Sequence, residues 1–365
     1  MVSLFTFILV LSVLILVHEF GHFWTAKRLG IWVEEFGFGL PPRIFGKKYK
    51  DTIYSINLLP FGGFVRLHGE NEEGSIKYPQ KAFLNKSKKV RSAVITAGVF
   101  MNMMLAIVCF SIVYSVSGIP RESENVRIVE IAENSPASMS GLMVGDIVSE
   151  INGEAITSSD SFLVKMQENP NMESLLRISR GKEEKEFKVT PRKDYPEGQG
   201  PLGVTISTTE IYFPSIWQRP FYGVYYGFQE SIYWILAVVA GFSTLFSTLL
   251  GGSVPQDIAG PVGIYAITTQ AASFGVVALI NFVGVLSVNL AVLNIFPFPA
   301  LDGGRFLFII IEAISGRRVT PKIEGYIHMA GMALLLTLLV VITFGDIRRL
   351  IDAGSVTGFI ESFAP

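Results

Sequence analysis

One cysteine, four histidines and a sparse complement of charge are the scarcities of this chain, and each removes a class of protein. The lone cysteine among 365 residues, Cys109, lies inside an apolar run. It can found neither a disulfide framework nor a multi-cysteine metal cluster, so any metal must be held by histidine and carboxylate. Only 17% of the residues are charged, against roughly 25% in ordinary globular domains, and the formal net charge is -1. That balance offers no footprint for a polyanion, and nucleic acid drops out as a partner. What is present is apolar: half of all residues, with a mean hydropathy of +0.45, which argues against a purely soluble protein.

From Val2 to Val17 no residue is charged, and the run continues through Phe23 and Trp24 except for His18, Glu19 and His22. About 20 apolar residues are what a bilayer asks of a helix, so this is a first span. No basic segment precedes it and no small-residue cleavage site follows it, which predicts that it is retained and not removed as a signal peptide. Ala93 to Val116, Phe274 to Phe296 and about His328 to Phe344 predict three more spans. Lys27 to Arg91 holds 13 Lys/Arg against 6 Asp/Glu, whereas Gly118 to Pro220 holds 11 against 16. The positive-inside bias therefore puts the first loop in the cytoplasm, and the N-terminus and the 118–220 region outside. Gln229 to Leu250, with the single charge Glu230, is long enough to be a fifth span. Parity argues against it, because a fifth crossing would carry the end of the third apolar span away from the inner half of the first. It is expected to lie at the outer interface or to pack on the bundle, so that the loop around Gly252 to Gly263 shares the outer side with the 118–220 region.

His18-Glu19-Phe20-Gly21-His22 is an H-E-x-x-H pattern on a predicted helix. It puts two imidazoles at i and i+4 on one face with a glutamate one step round, a metal-binding face with a base beside it. Three ionisable side chains together at bilayer depth are expensive and point to function. A catalytic zinc needs a third protein ligand and an open position, and Asp302 in Asn294-Ile295-Phe296-Pro297-Phe298-Pro299-Ala300-Leu301-Asp302-Gly303-Gly304 offers one. The prolines end the third span, and irregular backbone at that depth is tolerated only where it is buried or lines a cavity. The same aspartate could also cap the following helix, Arg305 to Ile314, and the two roles are compatible. His68, His328 and Asp346 are poorer candidates by position.

HEFGH in the first span and NIFPFPALDGG after the third together resemble the site-2 protease family of intramembrane zinc metalloproteases, in its bacterial RseP-like branch. FGFGLPPRIFG and INLLPFGGFVRLHGE resemble that family's membrane re-entrant β-region, and RSAVITAGVFMN its second span. The resemblance implies that His18, His22 and Asp302 hold Zn2+, that Glu19 is the catalytic base, and that Asn294 holds the substrate backbone near the scissile bond. It also implies a bacterial cytoplasmic membrane as the location and single-span membrane proteins, of anti-sigma-factor or signal-peptide-remnant type, as substrates. Two positions depart from the family pattern: Val99 stands where a proline follows the second-span glycine, and Leu40 separates Gly39 from Pro41.

Tyr54 to Leu67 alternates imperfectly and breaks at Pro60 and Gly62-Gly63, which predicts one or two short strands. An edge there could bind an unwound substrate by strand addition, with Gly62 and Gly63 against it, or the strands could simply cap the bundle. Between Arg127 and Ser207 short strands are expected at Arg127 to Ile131, Asp146 to Ile151, Leu175 to Ile178 and Glu186 to Thr190, with a helix at Ser159 to Gln167. Asn134-Ser135-Pro136-Ala137 and the run from Gly141 to Gly153 resemble a PDZ domain. Leu202, Gly203 and Val204 match the loop whose amides receive a peptide C-terminus in such domains; a spacer or size filter is the alternative.

The expected architecture is a polytopic α-helical membrane protein with four transmembrane helices, a membrane re-entrant β-region and an inserted extracytoplasmic PDZ domain. Its segments are 1–117 with the first two spans, 118–208 as the PDZ domain, and 209–365 with the remaining helices. Both termini are expected outside, with the active site open toward the cytoplasm. The rival from another class is a metal transporter or sensor, since intramembrane His and Asp also mark ion pathways. A transporter has no use for a glutamate between the histidines.

Overall fold

The charge-free opening run forms helix α1 (Val2–Arg28), which closes on Lys27 and Arg28, cations suited to the negative end of the helix dipole. The computed structural model describes residues 2–70, 76–168, 170–196, 198–251 and 259–362. These divide into two units, Met1–Ser117 with Ser215–Pro365, and Gly118–Pro214. In the first, α1 is followed by two long ribbons, β1 (Val33–Tyr49) and β2 (Thr52–Leu67). Both ribbons bend. Residues 35–38 pair with 63–66 on one side and 53–56 on the other, while 43–49 pair with 52–57. The outcome is four antiparallel rows in the order 43–49, 52–57, 33–38, 63–67, and among the described residues no strand covers the outer edge of 63–67. This sheet lies along α1. Lys27 Nζ donates to the Tyr54 hydroxyl at one end and Ser12 Oγ to the Pro60 carbonyl at the other. Those anchors are about 22 Å apart at the helical rise of 1.5 Å per residue. The tip near Pro60 is apolar and exposed at Leu40, Ile44, Phe45, Leu58 and Leu59.

Helix α2 (Lys88–Ser117) runs antiparallel to α1, with Asn102 beside His18 and Val94 beside His22. Gly21 makes the approach possible, since a Cβ there would overlap the Ala97 carbonyl.

The second unit alternates apolar and polar residues and forms an antiparallel sheet. Its elements are β3 (Ile119–Ile131), α3 (Pro136–Ser140), β4 (Ile147–Ile151), β5 (Glu154–Ala155), α4 (Ser159–Glu168), β6 (Ser174–Arg180), β7 (Glu183–Val189) and β8 (Val204–Tyr212). The order is β7-β6-β4-β3-β8, with β5 paired to β4. Inward residues Ile128, Val148, Ile151, Leu176 and Ile178 pack against Phe162 and Met166 of α4. The unit extends past residue 208, where the sequence reading ended it, because β8 continues to Tyr212 and pairs there with Ile119. Asp146, buried, holds Arg180 through two hydrogen bonds of 2.8 Å and accepts the Met143 N–H at 2.9 Å. Burial alone would raise its pKa, but the guanidinium and the amide outweigh that and hold the carboxyl below its ordinary value.

The chain returns to the first unit as α5 (Arg219–Leu250). Gly223 and Gly227 let it close on Ser115 and Ser111 of α2, and Glu230 accepts from the Tyr114 hydroxyl at 2.8 Å and from Trp234 Nε1 at 3.0 Å. Twelve residues on, Phe242 stacks on Phe296, just beyond the end of α7 (Val276–Ile295). Between them, α6 (Pro261–Ser273) sits at the N-terminal end of α1, with Tyr265 edge-on to Phe7. So α5 packs on the bundle, antiparallel to α2, and does not lie flat at one face. The chain nevertheless resumes at the end of the bundle where α5 began, and α7 therefore runs toward His18 and His22. Residues 252–258 of the intervening loop lie outside the described residues. Then come α8 (Asp302–Ser315), α9 (Pro321–Ala353) and α10 (Val356–Glu361), with Asp346 of α9 accepting the Gly263 N–H at 2.9 Å. Among the described residues, five helices, α1, α2, α5, α7 and α9, are long and apolar enough to cross a membrane.

Candidate active site

One helical turn on α1 separates His18 from His22, and their Nε2 atoms stand 3.1 Å apart. Asp302 Oδ2 lies 3.0 Å from the first and 3.2 Å from the second. Tetrahedral ligands about 2.0 Å from a zinc ion are about 3.3 Å from one another, so these three atoms already form one face of such a shell. The outer ring nitrogens decide which way the lone pairs point. His22 Nδ1 donates to the Val94 carbonyl at 2.8 Å, and His18 Nδ1 lies 3.3 Å from the side-chain amide of Asn102. The amide atom placed there is Nδ2, while Oδ1 has no partner among the described residues; turning the amide over exchanges the two, satisfies Oδ1 and makes it the acceptor of a proton on His18 Nδ1. Both Nε2 atoms are then bare, and the buried Oδ2 of Asp302 receives no hydrogen bond. With the Asn102 amide so turned, three lone pairs converge on one point with no proton between them, which a cation satisfies. The floor of this point is Gly98: a Cβ there would come within 2.5 Å of His22 Nε2 and 2.7 Å of His18 Nε2.

Asp302 reaches the histidines because the chain turns sharply after α7. Phe296 takes extended backbone and Pro297 and Pro299 forbid helix. Gly303 and Gly304 permit the first turn of α8 to pack on the carbonyls of Ile295, Phe296 and Phe298, where any Cβ would overlap. The helix starts at Asp302 itself, with Leu301 at the cap position and no side-chain cap. The capping role expected beside the ligand role is thus corrected, since the carboxylate is turned to the histidines.

Glu19 lines a cavity of about 360 Å³ together with His22, Asp302, Glu70, Arg305 and the strand from Phe64 to Leu67. Gly63 packs beside the Glu19 stem, a Cβ on it lying 3.4 Å from Glu19 Cγ, and Gly62 takes φ +86° to turn the chain there. The uncovered edge 63–67 therefore borders the glutamate. Asn294 sits half-buried in the last turn of α7. Leu202, Gly203 and Val204 belong to the second unit. There Leu202 is buried in the core and the Gly203 N–H already donates to the Gly200 carbonyl at 3.0 Å, so that amide faces its own turn. The rival ligands are committed elsewhere: His68 to Glu34 at 2.7 Å, Asp346 to Gly263, and His328 to Ala300. Sequence reasoning missed Asn102 and Gly98 as members of the site, as well as the ion pair of Arg305 with Glu70 beside it. Their signal, a glycine and a polar residue one turn apart in an apolar run, is visible only once α1 is known to face α2.

Two imidazoles and a carboxylate converging beside a glutamate, among apolar helices, define a metal-dependent hydrolase whose site is set inside a helical bundle. The model of peptidase family M50 matches residues 6–338, and the chain belongs to that family. It is 30% identical to the regulator of sigma-W protease RasP of Bacillus subtilis, over 95% of this chain and 99% of that one. It is 29% identical to the zinc metalloprotease RasP of Oceanobacillus iheyensis, over 96% and 100%, and 31% identical to that of Shouchella clausii, over 95% and 99%. Among solved structures, the PDZ domain of an SdrC-like protein from Listeria monocytogenes is 20% identical and covers 23% of this chain and 87% of its own, with a TM-score of 0.21. A score that low decides nothing about the second unit.

Proposed function

We propose that the protein is a zinc endopeptidase that cuts the transmembrane segments of single-span membrane proteins, of anti-sigma-factor or signal-peptide-remnant type, in regulated intramembrane proteolysis. The observation that carries this reading is the convergence of three bare ligand atoms beside Glu19. His18, His22 and Asp302 would hold the zinc, and a zinc there would supply an acidified water and polarisation of the scissile carbonyl. Glu19, one step round the helix from both histidines, takes the proton of the attacking water and returns it to the leaving amine. The Val94 carbonyl keeps the His22 imidazole in the ligating tautomer, and Asn102 does the same for His18 with its amide turned so that Oδ1 accepts from Nδ1.

A helical substrate shields its carbonyls and must unwind before it is cut. The uncovered edge 63–67 beside Glu19 supports strand addition as the way the unwound segment is held, with Gly62 and Gly63 leaving room for its backbone and Asn294 fixing it near the scissile bond. The exposed apolar tip of the sheet suits a β-region that re-enters the membrane. The second unit is a PDZ domain in this reading. It receives peptide C-termini through the Leu202 and Val204 side of its loop, or it acts as a size filter for substrates already shortened by a first protease. The location is the bacterial cytoplasmic membrane, with both termini and the second unit outside and the active site open to the cytoplasm. A relative named for regulating sigma-W supports a signalling role.

A paired substitution tests the chemistry. Glu19→Gln is expected to keep zinc and lose cleavage by about 10²–10⁴-fold, the usual contribution of a general base. Asp302→Ala is expected to lose both zinc and cleavage. Metal analysis beside a single-span substrate assay reads both; normal turnover by the Glu19→Gln protein would remove the base, and full zinc in Asp302→Ala would remove the third ligand.

A further inference from the structure

The turn that delivers Asp302 contains a residue in an unfavourable conformation. Ala300 has φ +81°, in the left-handed region that disfavours any residue with a Cβ. Pro297 and Pro299 bring no N–H, and the Phe298 and Leu301 amides donate within the turn, to the Phe296 and Phe298 carbonyls at 2.7 and 3.2 Å; the Ala300 amide ties the turn to another helix. That amide donates to His328 Nδ1 of α9 at 2.8 Å. One turn further along α9, Gly331 receives Pro299, and a Cβ there would come within 2.5 Å of the proline Cβ. Phe308 of α8 closes edge-on over the imidazole with ring centres 5.7 Å apart. The other ring nitrogen, His328 Nε2, is buried and has no hydrogen-bond partner among the described residues, the Glu324 carboxylate being 3.8 Å away. The imidazole is thus spent on one backbone amide, two residues before a carboxylate that must meet two histidines within 3.2 Å.

We infer that His328 is a positioning residue for the metal site: it accepts the Ala300 N–H, keeps the left-handed turn populated, and through it places the Asp302 carboxylate. This rests on the reading of His18, His22 and Asp302 as the zinc ligands. If the turn relaxes, only the fraction of molecules with Asp302 in place binds tightly, and apparent zinc affinity falls by that fraction. An asparagine at 328 can present its Oδ1 close to where Nδ1 stands, whereas alanine offers no acceptor. A glycine at 300 takes positive φ without penalty and should no longer need the histidine.

The test is zinc affinity, measured by competition with a chelator on detergent-purified full-length protein, for the wild type, His328→Ala, His328→Asn and the double variant Ala300→Gly/His328→Ala. We expect His328→Ala to weaken zinc by about 10–100-fold, the usual effect of losing a group that orients a ligand. His328→Asn should stay within a few-fold of the wild type, and the double variant should recover most of the loss. Cleavage by His328→Ala should return at saturating zinc. Wild-type affinity in His328→Ala, or a double variant no better than the single one, would overturn the inference. Should His328→Ala fail to fold, the asparagine variant decides: folded with near-normal zinc affinity it supports the role, folded with affinity greatly weakened it refutes it. A wild-type protein that binds no zinc would sink the underlying ligand assignment instead.

Discussion

Gly98 does its work by lacking an atom. Its Cα faces the point where the His18, His22 and Asp302 ligand atoms meet, and even a methyl group would stand within 2.5 Å of a ligating nitrogen. Gly98→Ala is therefore expected to lower zinc occupancy by more than about tenfold, a loss on the scale of disturbed ligand orientation, while thermal unfolding of the helical bundle changes little. Metal analysis beside a melting curve checks it, and full occupancy with unchanged activity would mean that the floor can give way. The HEFGH and LDGG residues were legible in the sequence because each is a local pattern whose chemistry is stated by residue type and spacing. Gly98 and Asn102 were not. Their meaning depends on an antiparallel contact between helices whose facing residues, His18 and Asn102, are 84 positions apart. The Asp302 cap failed for a related reason: an Asp-Gly-Gly sequence looks alike whether the carboxylate turns back to its own helix or across to another.

Pairs of elements carry the next layer. In the second unit Asp146 just before β4 and Arg180 at the end of β6 tie two neighbouring strands together. Because the folded carboxyl titrates below its unfolded value of about 3.9, its contribution to stability is complete above that value and is lost as pH falls through the folded one. Arg180→Met should remove the depression and move acid unfolding of this unit to higher pH. Pepsin nicking between residues 118 and 214 across an acid titration measures it, and an unshifted midpoint would show that the pair contributes nothing. Strands with clean alternation, such as β4 and β6, were expected close to where they stand. The first half of β3 and all of β8 were not. Each pairs with the other across the whole unit, and the polar run from Arg121 to Asn125 offers no alternation. Helix α5 shows the limit of length and composition, which fit a crossing helix and a packed one equally. Only the contacts of Gly223, Gly227 and Phe242 tell how it lies.

For the molecule as a whole, the proposed sidedness can be tested at the end of α1 and the sheet. The turn at Lys50 and Asp51 belongs to the end of the sheet anchored at Lys27, the C-terminal end of α1. On the proposed orientation, with the first loop inside, a cysteine at Lys50 in a Cys109→Ser background should react with a membrane-impermeant thiol reagent only after permeabilisation. A cysteine at Ser158 should react in intact spheroplasts. Reaction of both without permeabilisation, in active protein, would refute the orientation.

The bare edge at 63–67 has a consequence for what the enzyme can read. Successive side chains of a strand laid against it point to opposite faces, one set toward the cavity of Glu19 and His22 and the next away from it. Sequence preference around the cut should then recur at every second position, with alternate residues free to vary. A substrate gripped as a helix would instead be read at intervals of three and four, so the periodicity of tolerated substitutions reports the shape in which the substrate is held.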